Sequence, residues 1–416
     1  MRDTSSVTAE PSPSRRILLA DADAFFVAVA RLVDPDGAGR SPLLIVGGSP
    51  NSRGVVCSAS YEARAYGVRS GMPMSRAVRL CPHATRVPVP GAACARKSRE
   101  IRAVLERFSP VVAAASIDEF YLDLTGTELL YDGALLADVA ARIRAAVIEE
   151  TGLSVSIGGG NSRLVAKMAA QLAKPGAGAT ASGVFVVESG GEAAFMRRFD
   201  LADIPGIGPK AQERLRAHGL VTADDALAAD DASLVRWLGA REAEWLRGRV
   251  LGIDDSPVEV RAEAKSLSRE DTFPVDLHDD AELERELQRL ALRVASDLRG
   301  EGLRARTVTV KLRDADFTTR QASRTVPTPI ESDRAVQAIA HELLARLRRA
   351  RRTGARLLGV TLASLSGEGY AAQLPLFGDG EPALETERDR ALSRVVDSVR
   401  ARFGDAALLP ASLKRR

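Results

Sequence analysis

The sequence predicts a multidomain α+β protein. Its 416 residues, of which 45% are hydrophobic, are enough for about three domains with separate cores. Between residues 265 and 363, segments with the period of a strand and segments with the period of a helix follow one another as β-α-β-β-α-β. Before this unit, strands that end in carboxylates precede a run of short, glycine-rich helices. The two patterns indicate separate parts of one chain.

Composition and charge exclude several classes of protein. The 58 basic and 55 acidic residues leave a net charge of +3, so any nucleic-acid binding must come from local patches. The three cysteines have no Cys-x-x-Cys spacing, which argues against a disulfide framework and a cysteine zinc site. Acidic residues interrupt the apolar segment after Arg16, and no apolar run is long enough to span a bilayer. These features predict a soluble, cytoplasmic protein.

In the first half of the chain, the predicted elements begin with a strand that ends in acidic residues. Residues 1–14 are rich in proline and serine and are predicted to be a disordered tail. A buried strand at Ile17–Ala20 ends in Asp21 and Asp23, which share one face because side chains alternate along a strand. The next predicted elements are a helix from Phe25, a helix over 134–150, and a strand at Leu153–Ile157 that leads through Gly158–Gly160 into a helix closing at Lys174–Gly176.

In the second half, glycine-rich helices give way to longer, regular elements. Residues 182–252 are predicted to form short helices around the segment 204–210, and residues 253–264 are predicted to be a linker. A loop at 365–381 then precedes a final helix at 384–403. The β-α-β-β-α-β unit comprises strands at 265–273, 305–313, 319–326 and 356–363, and helices at 280–300 and 333–350.

The run from Val111 to Leu124 carries the strongest chemical signal. An apolar stretch leads into Asp118 and Glu119 and an alternating pattern follows, which predicts a hairpin with both carboxylates at its bend. Adjacent carboxylates repel each other, and they are stable together if a cation neutralises them or if both face water. A solvated acidic turn is therefore the alternative to a metal site. Asp21 could supply a third oxygen ligand, which suits paired Mg²⁺ ions in phosphoryl transfer.

Three segments resemble the signature blocks of the Y family of DNA polymerases, in particular its polymerase IV branch. They are residues 21–26, 58–68 and 116–119, and the resemblance spans about residues 16–377. It implies a polymerase right hand, with a palm on a mixed sheet, small fingers, a helical thumb with a helix-hairpin-helix, and a β-α-β-β-α-β little-finger domain. The implied bounds are 15–25 and 84–181 for the palm, 26–83 for the fingers, 182–252 for the thumb, 265–366 for the little finger and 367–416 for a tail.

The resemblance also implies which residues hold the metal ions. Asp21 and Asp118 would bridge two Mg²⁺ ions, with Mn²⁺ as a substitute. Glu119 would complete the site beside the primer end, and the Ala22 carbonyl would assist at the ion on the nucleotide side. Asp23 matches the second aspartate of the family block, which is less clearly a ligand.

Four residues would form the nucleotide site. Phe26 follows the Asp-x-Asp block and would be the steric gate that excludes a ribose 2′-hydroxyl, with ordinary core packing as the alternative. Tyr61 and Arg64 are one helical turn apart, so both can face one ligand, and a guanidinium suits phosphate oxygens. By resemblance they hold the incoming triphosphate together with Lys174, whose alternative role is an interaction with the helix dipole.

DNA contacts are predicted in two places. Gly206, Gly208 and Lys210 lie in a segment that resembles a helix-hairpin-helix, where glycines let backbone N–H groups approach a phosphate. Glycine-rich turns between helices are also plain connectors. In the β-α-β-β-α-β unit, the predicted contacts are arginines on strands whose sheet would face the duplex, namely Arg269, Arg313, Arg320 and Arg324.

A short motif after this unit resembles the pentapeptide with which bacterial replication proteins bind the β sliding clamp. Its residues are Gln373, Leu374, Leu376 and Phe377, and the apolar side chains would fill a pocket on the clamp. Two positions depart from the family pattern. Ala30 stands where the family usually has Glu, and residues 159–163 are less basic than in relatives.

The implied activity is template-directed, low-fidelity translesion synthesis without a proofreading exonuclease. The protein would add deoxynucleotides to a primer 3′-OH and release pyrophosphate, acting as a monomer on primer-template DNA, deoxynucleoside triphosphates and the clamp. The main alternative is a non-catalytic adaptor in a translesion complex. Such relatives lose metal carboxylates, which this chain retains. A nucleotidyl cyclase or a sugar-nucleotide transferase is a more distant alternative, since neither needs the helix-hairpin-helix or the clamp-like peptide.

Overall fold

The computed structural model describes residues 15–175, 182–260, 264–367, 384–404 and 406–413. It divides the chain into two compact units, residues 1–261 and 262–416. Both units combine helices with sheets, as the sequence predicts. In the ranges that the structure describes, no helix is long and apolar enough to cross a bilayer.

The first unit is built from eight strands and eleven helices within its described residues. The strands are β1 Ile17–Ala22, β2 Leu44–Gly47, β3 Val56–Ala59, β4 Thr85–Val87, β5 Val111–Ala114, β6 Glu119–Asp123, β7 Val155–Gly160 and β8 Val184–Val186. The helices are α1 Phe25–Val33, α2 Tyr61–Ala65, α3 Met74–Leu80, α4 Gly91–Leu105, α5 Leu136–Thr151, α6 Arg163–Ala173, α7 Glu192–Met196, α8 Pro209–Ala217, α9 Ala223–Ala228, α10 Asp231–Leu238 and α11 Ala240–Val250.

Strand β1 is the centre of the main sheet, whose strand order is β5-β6-β1-β7-β8. All six β1 residues are buried, which explains why this strand has an apolar run and not an alternating pattern. Helices α4 and α5 cover one face of the sheet, and α6 packs on the other. A smaller sheet of order β3-β2-β4 packs with α2 and α3, and helices α6 to α11 enclose a third core.

The three glycines after Ile157 belong to β7 and do not form the predicted connection to the next helix. At Gly158, a Cβ would lie 2.1 Å from both the Ala166 carbonyl oxygen and the Ala170 nitrogen of α6. Only glycine therefore allows the backbone of α6 to lie directly against the strand. This close approach positions every side chain that α6 presents to the end of the sheet.

The first part of the predicted linker, residues 253–257, is fixed to the first unit. The Asp254 carboxylate accepts a hydrogen bond from the Leu164 backbone N–H at 3.1 Å. The Arg15 guanidinium donates to the carbonyl oxygens of Asp254 and Ser256 at 3.1 and 2.8 Å. These contacts hold the segment against the start of α6.

The second unit contains the predicted β-α-β-β-α-β arrangement. Its elements are β9 Ser266–Leu277, α12 Asp280–Gly300, β10 Leu303–Asp314, β11 Thr319–Ile330, α13 Asp333–Ala350, β12 Ala355–Gly367 and α14 Glu387–Phe403. The strands form one antiparallel sheet of order β11-β10-β12-β9. Helices α12 and α13 pack on one face through leucines and valines, and α14 docks on them through the ion pair of Arg299 with Asp397 at 2.6 Å. Among the described residues of the second unit, no helix covers the other face of the sheet.

Candidate active site and nucleic-acid interface

Three acidic residues are neighbours at the end of the central strand. Asp21 of β1 is the direct cross-strand partner of Glu119, the first residue of β6. The Ala22 backbone N–H donates to the Asp118 carbonyl oxygen at 3.0 Å, which joins the tip of β1 to the turn before β6. The predicted hairpin is therefore formed by β5 and β6, with Asp118 in its turn, and its register with β1 brings Asp21, Asp118 and Glu119 together.

The turn that carries Asp118 is organised by Ser116. The Ser116 hydroxyl donates to the Asp118 carboxylate at 2.5 Å and accepts the backbone N–H of Glu119 at 3.0 Å. Sequence reasoning did not single out Ser116. The position of Ser116 in a predicted turn, two residues before an aspartate, could have indicated this role, because serine hydroxyls in turns bond to nearby backbone groups.

Two lysines pair with two of these three carboxylates. Lys174 Nζ lies 2.6 Å from Asp21 Oδ2. Lys167 Nζ lies 2.8 and 3.1 Å from the two carboxylate oxygens of Glu119. The sequence identified Lys174 as a candidate but missed Lys167. The two lysines are seven residues apart, or two turns of α6 and its C-cap, so helical spacing alone could have placed both on one face.

Burial and mutual repulsion perturb the most enclosed of the three acids. Burial raises the pKa of Asp21 to about 6, the nearby Lys174 opposes the shift, and the charges of Glu119 and Asp118 add to it. The three carboxylates therefore interact electrostatically, even though each has its own hydrogen-bond partner. A cation between them would relieve this repulsion.

The donor set fits a hard divalent cation, because it consists entirely of carboxylate and carbonyl oxygens. The side chains are not gathered around one point, however. In the described part of the chain, no group of three or more His, Cys, Asp or Glu side chains is arranged to hold a metal ion. The ammonium groups of Lys167 and Lys174 bond to the same oxygens that a cation would use.

Asp23 does not join this carboxylate group. Its two side-chain oxygens accept hydrogen bonds from the hydroxyls of Ser156 and Ser154, both at 2.7 Å. The next residue, Ala24, has a φ of 45°, and α1 begins directly after it. Asp23 therefore holds the sharp bend between β1 and α1 against the start of strand β7. This structural role explains why Asp23 is less clearly a metal ligand than Asp21.

The side chain of Phe26 is half-buried on the first turn of α1. Its ring centroid lies 5.5 Å from that of Phe25 in an edge-to-face arrangement, and Phe25 is fully enclosed in the core. This packing fixes the ring while leaving part of it accessible. Ala30, on the same helix, is buried beside Val27 in the core shared with β2, a position that suits alanine and disfavours a charge.

Tyr61 and Arg64 make contact on the short helix α2. The Arg64 guanidinium lies 4.9 Å from the centroid of the Tyr61 ring. The Tyr61 hydroxyl is buried and has no hydrogen-bond partner among the described residues. Burial, followed by the negative charge of Asp23, raises the pKa of Tyr61 to about 12, so the hydroxyl keeps its proton. A buried donor without an acceptor is unfavourable, and a ligand oxygen would satisfy it.

Comparisons with known proteins bear on this arrangement. Family models match at residues 20–171 (impB/mucB/samB family), 264–376 (impB/mucB/samB family C-terminal domain) and 189–220 (IMS family HHH motif). DNA polymerase IV of Dehalococcoides mccartyi strain CBDB1 is 36% identical over 390 residues, which cover 94% of this chain and 95% of that protein. The chain belongs to the Y family of DNA polymerases.

Further relatives support the same family and fold. DNA polymerase IV of Methanoculleus marisnigri is 40% identical over 358 residues, covering 85% of this chain and 95% of that protein. A Y-family DNA polymerase chimera of Dbh and Dpo4 matches with a TM-score of 0.74 and 25% identity, over 85% of this chain and all of that one. These neighbours confirm the predicted α+β right-hand fold class. Y-family polymerases depend on divalent metal ions, which agrees with the oxygen-rich donor set.

The helix-hairpin-helix of this Y-family chain lies within the matched motif region. Gly206 has a φ of +99°, and a Cβ there would lie 2.8 Å from the Trp245 ring, so both conformation and space require glycine. Gly208 is the N-cap of α8, and a Cβ there would meet no atom within 4 Å among the described residues. Together with the exposed Lys210, it leaves the start of α8 open to an anion.

Two of the four strand arginines predicted to contact DNA are bound to helices. Arg269 Nε lies 2.6 Å from Asp297 Oδ2 on α12, and Arg324 lies 2.5 Å from Glu342 on α13. The register gives the reason. Arg269 pairs with Val360 and therefore lies on the side of the sheet that faces the helices. The prediction that these arginines share an open face is wrong.

Arg320 is also on the helix side, and only Arg313 of the four is not. The Arg320 guanidinium bonds to both carboxylate oxygens of the buried Asp314 at 2.8 and 3.0 Å and to the Leu347 carbonyl. Arg313 pairs with Thr319 and Leu357 and lies on the face without helices. The clamp-like residues Gln373, Leu374, Leu376 and Phe377 lie outside the described residues.

The raised pKa of Asp21 predicts a pH-dependent stability difference. The folded protein holds the Asp21 proton more tightly than the unfolded chain, so this residue stabilises the fold less as pH rises from about 4 to 6. In a chelating buffer, the free energy of unfolding of Asp21→Asn minus that of the parent protein should therefore increase as the pH rises over this range, by about 3 kcal/mol at most. Thermal unfolding at several pH values measures this difference.

The exposed Glu149 on α5 provides a matched control, because Glu149→Gln removes a carboxylate outside the site. Its stability relative to the parent protein should change little over the same pH range. A pH-independent difference for Asp21→Asn would contradict the raised pKa.

Proposed function

We propose that this chain extends a primer 3′-OH by one deoxynucleotide at a time on a template strand, with release of pyrophosphate. Family membership makes it a DNA-directed DNA polymerase of the translesion type, with low fidelity. The assignment of the site depends mainly on the register between β1 and β6, which places Asp21 opposite Glu119 and next to Asp118. The buried, unsatisfied hydroxyl of Tyr61 gives independent support for a phosphate-bearing ligand nearby.

Asp21, Asp118, Glu119 and the Ala22 carbonyl would hold two Mg²⁺ ions, with Mn²⁺ as the alternative ion. Two metal ions bound in this way would stabilise the attacking and leaving oxygens of a phosphoryl transfer. In this proposal Ser116 orients the Asp118 carboxylate, and Lys167 holds Glu119 in place before the substrates bind. Both are positioning residues.

Tyr61, Arg64 and Lys174 would bind the incoming triphosphate. The Arg64 guanidinium has no carboxylate partner among the described residues, and its Nε donates to the Ala59 carbonyl oxygen at 2.9 Å, which leaves its terminal N–H groups for a ligand. Lys174 would exchange Asp21 for a phosphate oxygen. The exchange would leave the Asp21 carboxylate available to a cation.

The domain assignment is likewise a proposal. The five-stranded sheet, with residues 15–25 and 84–181, would be the palm, and residues 26–83 with the small sheet would be the fingers. Residues 182–252 would be the thumb, which uses Gly206, Gly208 and Lys210 at a DNA phosphate. The little finger would be 265–366, followed by the tail. We revise its proposed DNA contacts to Arg313 on the face without helices, because Arg269, Arg320 and Arg324 are bonded on the helix side.

The proposed partners are primer-template DNA, deoxynucleoside triphosphates and a bacterial β sliding clamp, with the chain acting as a cytoplasmic monomer. A non-catalytic adaptor is the disfavoured alternative. An adaptor has no need for three interacting carboxylates, which cost stability through their mutual repulsion.

Removing either metal carboxylate should abolish synthesis. We expect Asp118→Asn and Glu119→Gln to lower the rate of single-nucleotide primer extension by at least about 100-fold, because each loses a charge on which transition-state stabilisation depends. Binding to the same primer-template should persist. Extension with Mg²⁺ and one nucleotide measures the first effect, and fluorescence anisotropy measures the second.

Glu149→Gln serves again as the control and should extend the primer at the parental rate. Parental rates in both active-site variants would overturn the assignment of the site. Adaptor function would instead predict that the unaltered chain fails to extend any primer.

Phe26 should exclude the ribose 2′-hydroxyl by steric contact. Phe26→Ala opens this space, so the preference for deoxynucleotides over ribonucleotides should fall by about 10-fold or more. The ratio of kcat/KM values for the two nucleotides measures the preference. Val33→Ala removes an exposed apolar side chain from the same helix and is the control. An unchanged ratio in Phe26→Ala would assign Phe26 to the core alone.

The pentapeptide should connect the polymerase to the clamp. Deleting residues 373–377 should leave primer extension without clamp unchanged and remove the stimulation that a bacterial β clamp gives. Leu392→Ala truncates an exposed apolar side chain on α14 and should retain full stimulation. Stimulation that survives the deletion would place the clamp contact elsewhere.

A further inference from the structure

The turn between β10 and β11 presents an exposed aromatic ring in a strained conformation. Phe317 has a φ of +67° and is 62% exposed. A left-handed conformation in a residue other than glycine costs about 1 kcal/mol or more, and an exposed phenyl ring gains nothing from burial. Neither feature stabilises the fold, which is the pattern expected of a binding residue.

The turn that carries Phe317 is rigidly held. The buried Asp314 at its base accepts hydrogen bonds from Arg320 and Arg351, and the Ala315 backbone N–H donates to the Gly354 carbonyl oxygen at 2.9 Å. The Phe317 N–H donates to the Asp314 carbonyl oxygen at 3.0 Å. The ring is therefore displayed on a fixed support, so little conformational entropy would be lost when a ligand stacks on it.

One side of the ring is already covered by a cation. The Arg356 guanidinium lies 4.4 Å from the Phe317 ring centroid. In the described residues neither Arg356 nor Arg313, four residues before Phe317 in the sequence, forms an ion pair with a carboxylate, and Arg313 Nε donates only to the Thr319 hydroxyl at 2.9 Å. The turn thus combines a free aromatic face with two guanidinium groups that keep donors for an anion.

On the face without helices, the cross-strand row nearest this turn contains Arg313. The next cross-strand row contains Lys311, whose ammonium lies 2.7 Å from Glu270 and is neutralised. The two following rows on this face contain no charged residue. Their members are small, mostly hydroxyl-bearing side chains, namely Ser323, Thr309, Thr361 and Ser268 in one row and Thr325, Thr307, Ala363 and Ser266 in the other.

We propose that Phe317, backed by Arg356 and flanked by Arg313, is a stacking site for an unpaired base of single-stranded DNA. An aromatic face beside guanidinium groups matches a base linked to a phosphate, whereas the bases of a duplex are stacked on each other and closed to it. The inference rests on the proposed function for its DNA partner. It adds a site that recognises the single-stranded part of the substrate.

The test compares DNA ligands that differ only in unpaired nucleotides. Phe317→Gly removes the ring and suits the positive φ, and Phe317→Trp retains an aromatic face. We expect Phe317→Gly to weaken binding to a single-stranded oligonucleotide and to a duplex with a 5′ overhang by about 5-fold or more, since one stacked base contributes roughly 1–3 kcal/mol. Binding to a blunt duplex should not change, and Phe317→Trp should bind like the parent. Fluorescence anisotropy at fixed salt gives the affinities.

Phe403 provides a matched control. It is 67% exposed, and the Arg402 guanidinium lies 5.2 Å from its ring centroid, but it lies on α14 away from the sheet turn. Phe403→Ala should bind all three DNA ligands like the parent protein. Equal losses for overhang and blunt DNA in Phe317→Gly would overturn the proposal, as would no loss at all, which would instead favour a protein partner for the ring. Primer extension by the unaltered chain tests the proposed function separately, because single-strand binding is measured without nucleotide or synthesis.

Discussion

The close approach of α6 to the central sheet is the constraint on which the candidate active site depends. Gly158 allows it, because any larger residue would collide with the Ala166 carbonyl oxygen. The helix then delivers Lys167 and Lys174 to the end of β1, where the three carboxylates repel one another. Without these ammonium groups, a buried Asp21 beside two further acids would be strongly destabilising.

The same arrangement leaves the site suited to charged ligands. Positive charge from two lysines offsets only part of the negative charge of the three carboxylates, and the buried Tyr61 hydroxyl has a proton but no acceptor among the described residues. In the proposed function, a nucleotide with its divalent ions would supply both missing partners at once, cations for the acids and phosphate oxygens for the donors. Lys174 connects the carboxylates to the nucleotide-binding residues, because it forms an ion pair with Asp21 and is one of the proposed triphosphate ligands. Cation binding and nucleotide binding should therefore favour each other.

The sequence was most informative where periodicity and chemistry agreed. Asp21, Asp118 and Glu119 were recognisable at strand ends, and the elements of the second unit followed from their periods. Lys167 and the strand arginines were missed or misplaced for different reasons. Helical spacing places Lys167 on the same face as Lys174, but the sequence pattern does not show that this face of α6 packs at the end of the sheet, which the close approach at Gly158 allows. The error over the arginines was avoidable. Side chains two residues apart on a strand share a face, so Arg320 and Arg324 lie on the same face of β11 as Ala322 and the buried Val326.

The bonding of these arginines on the helix side of the sheet changes how the positive charge of the second unit should be interpreted. Arg269 and Arg324 tie the sheet to its helices through carboxylates, and Arg320 does so through the Leu347 carbonyl while it pairs with Asp314 of β10. All three therefore contribute to the internal structure and not to an electrostatic field for DNA. Affinity that comes from counterion release scales with the cations that reach phosphates, not with the number of basic residues. A sheet face with hydroxyl rows and few unpaired cations therefore favours hydrogen bonding and stacking over charge neutralisation, which suits a polymerase that must release and advance along its DNA.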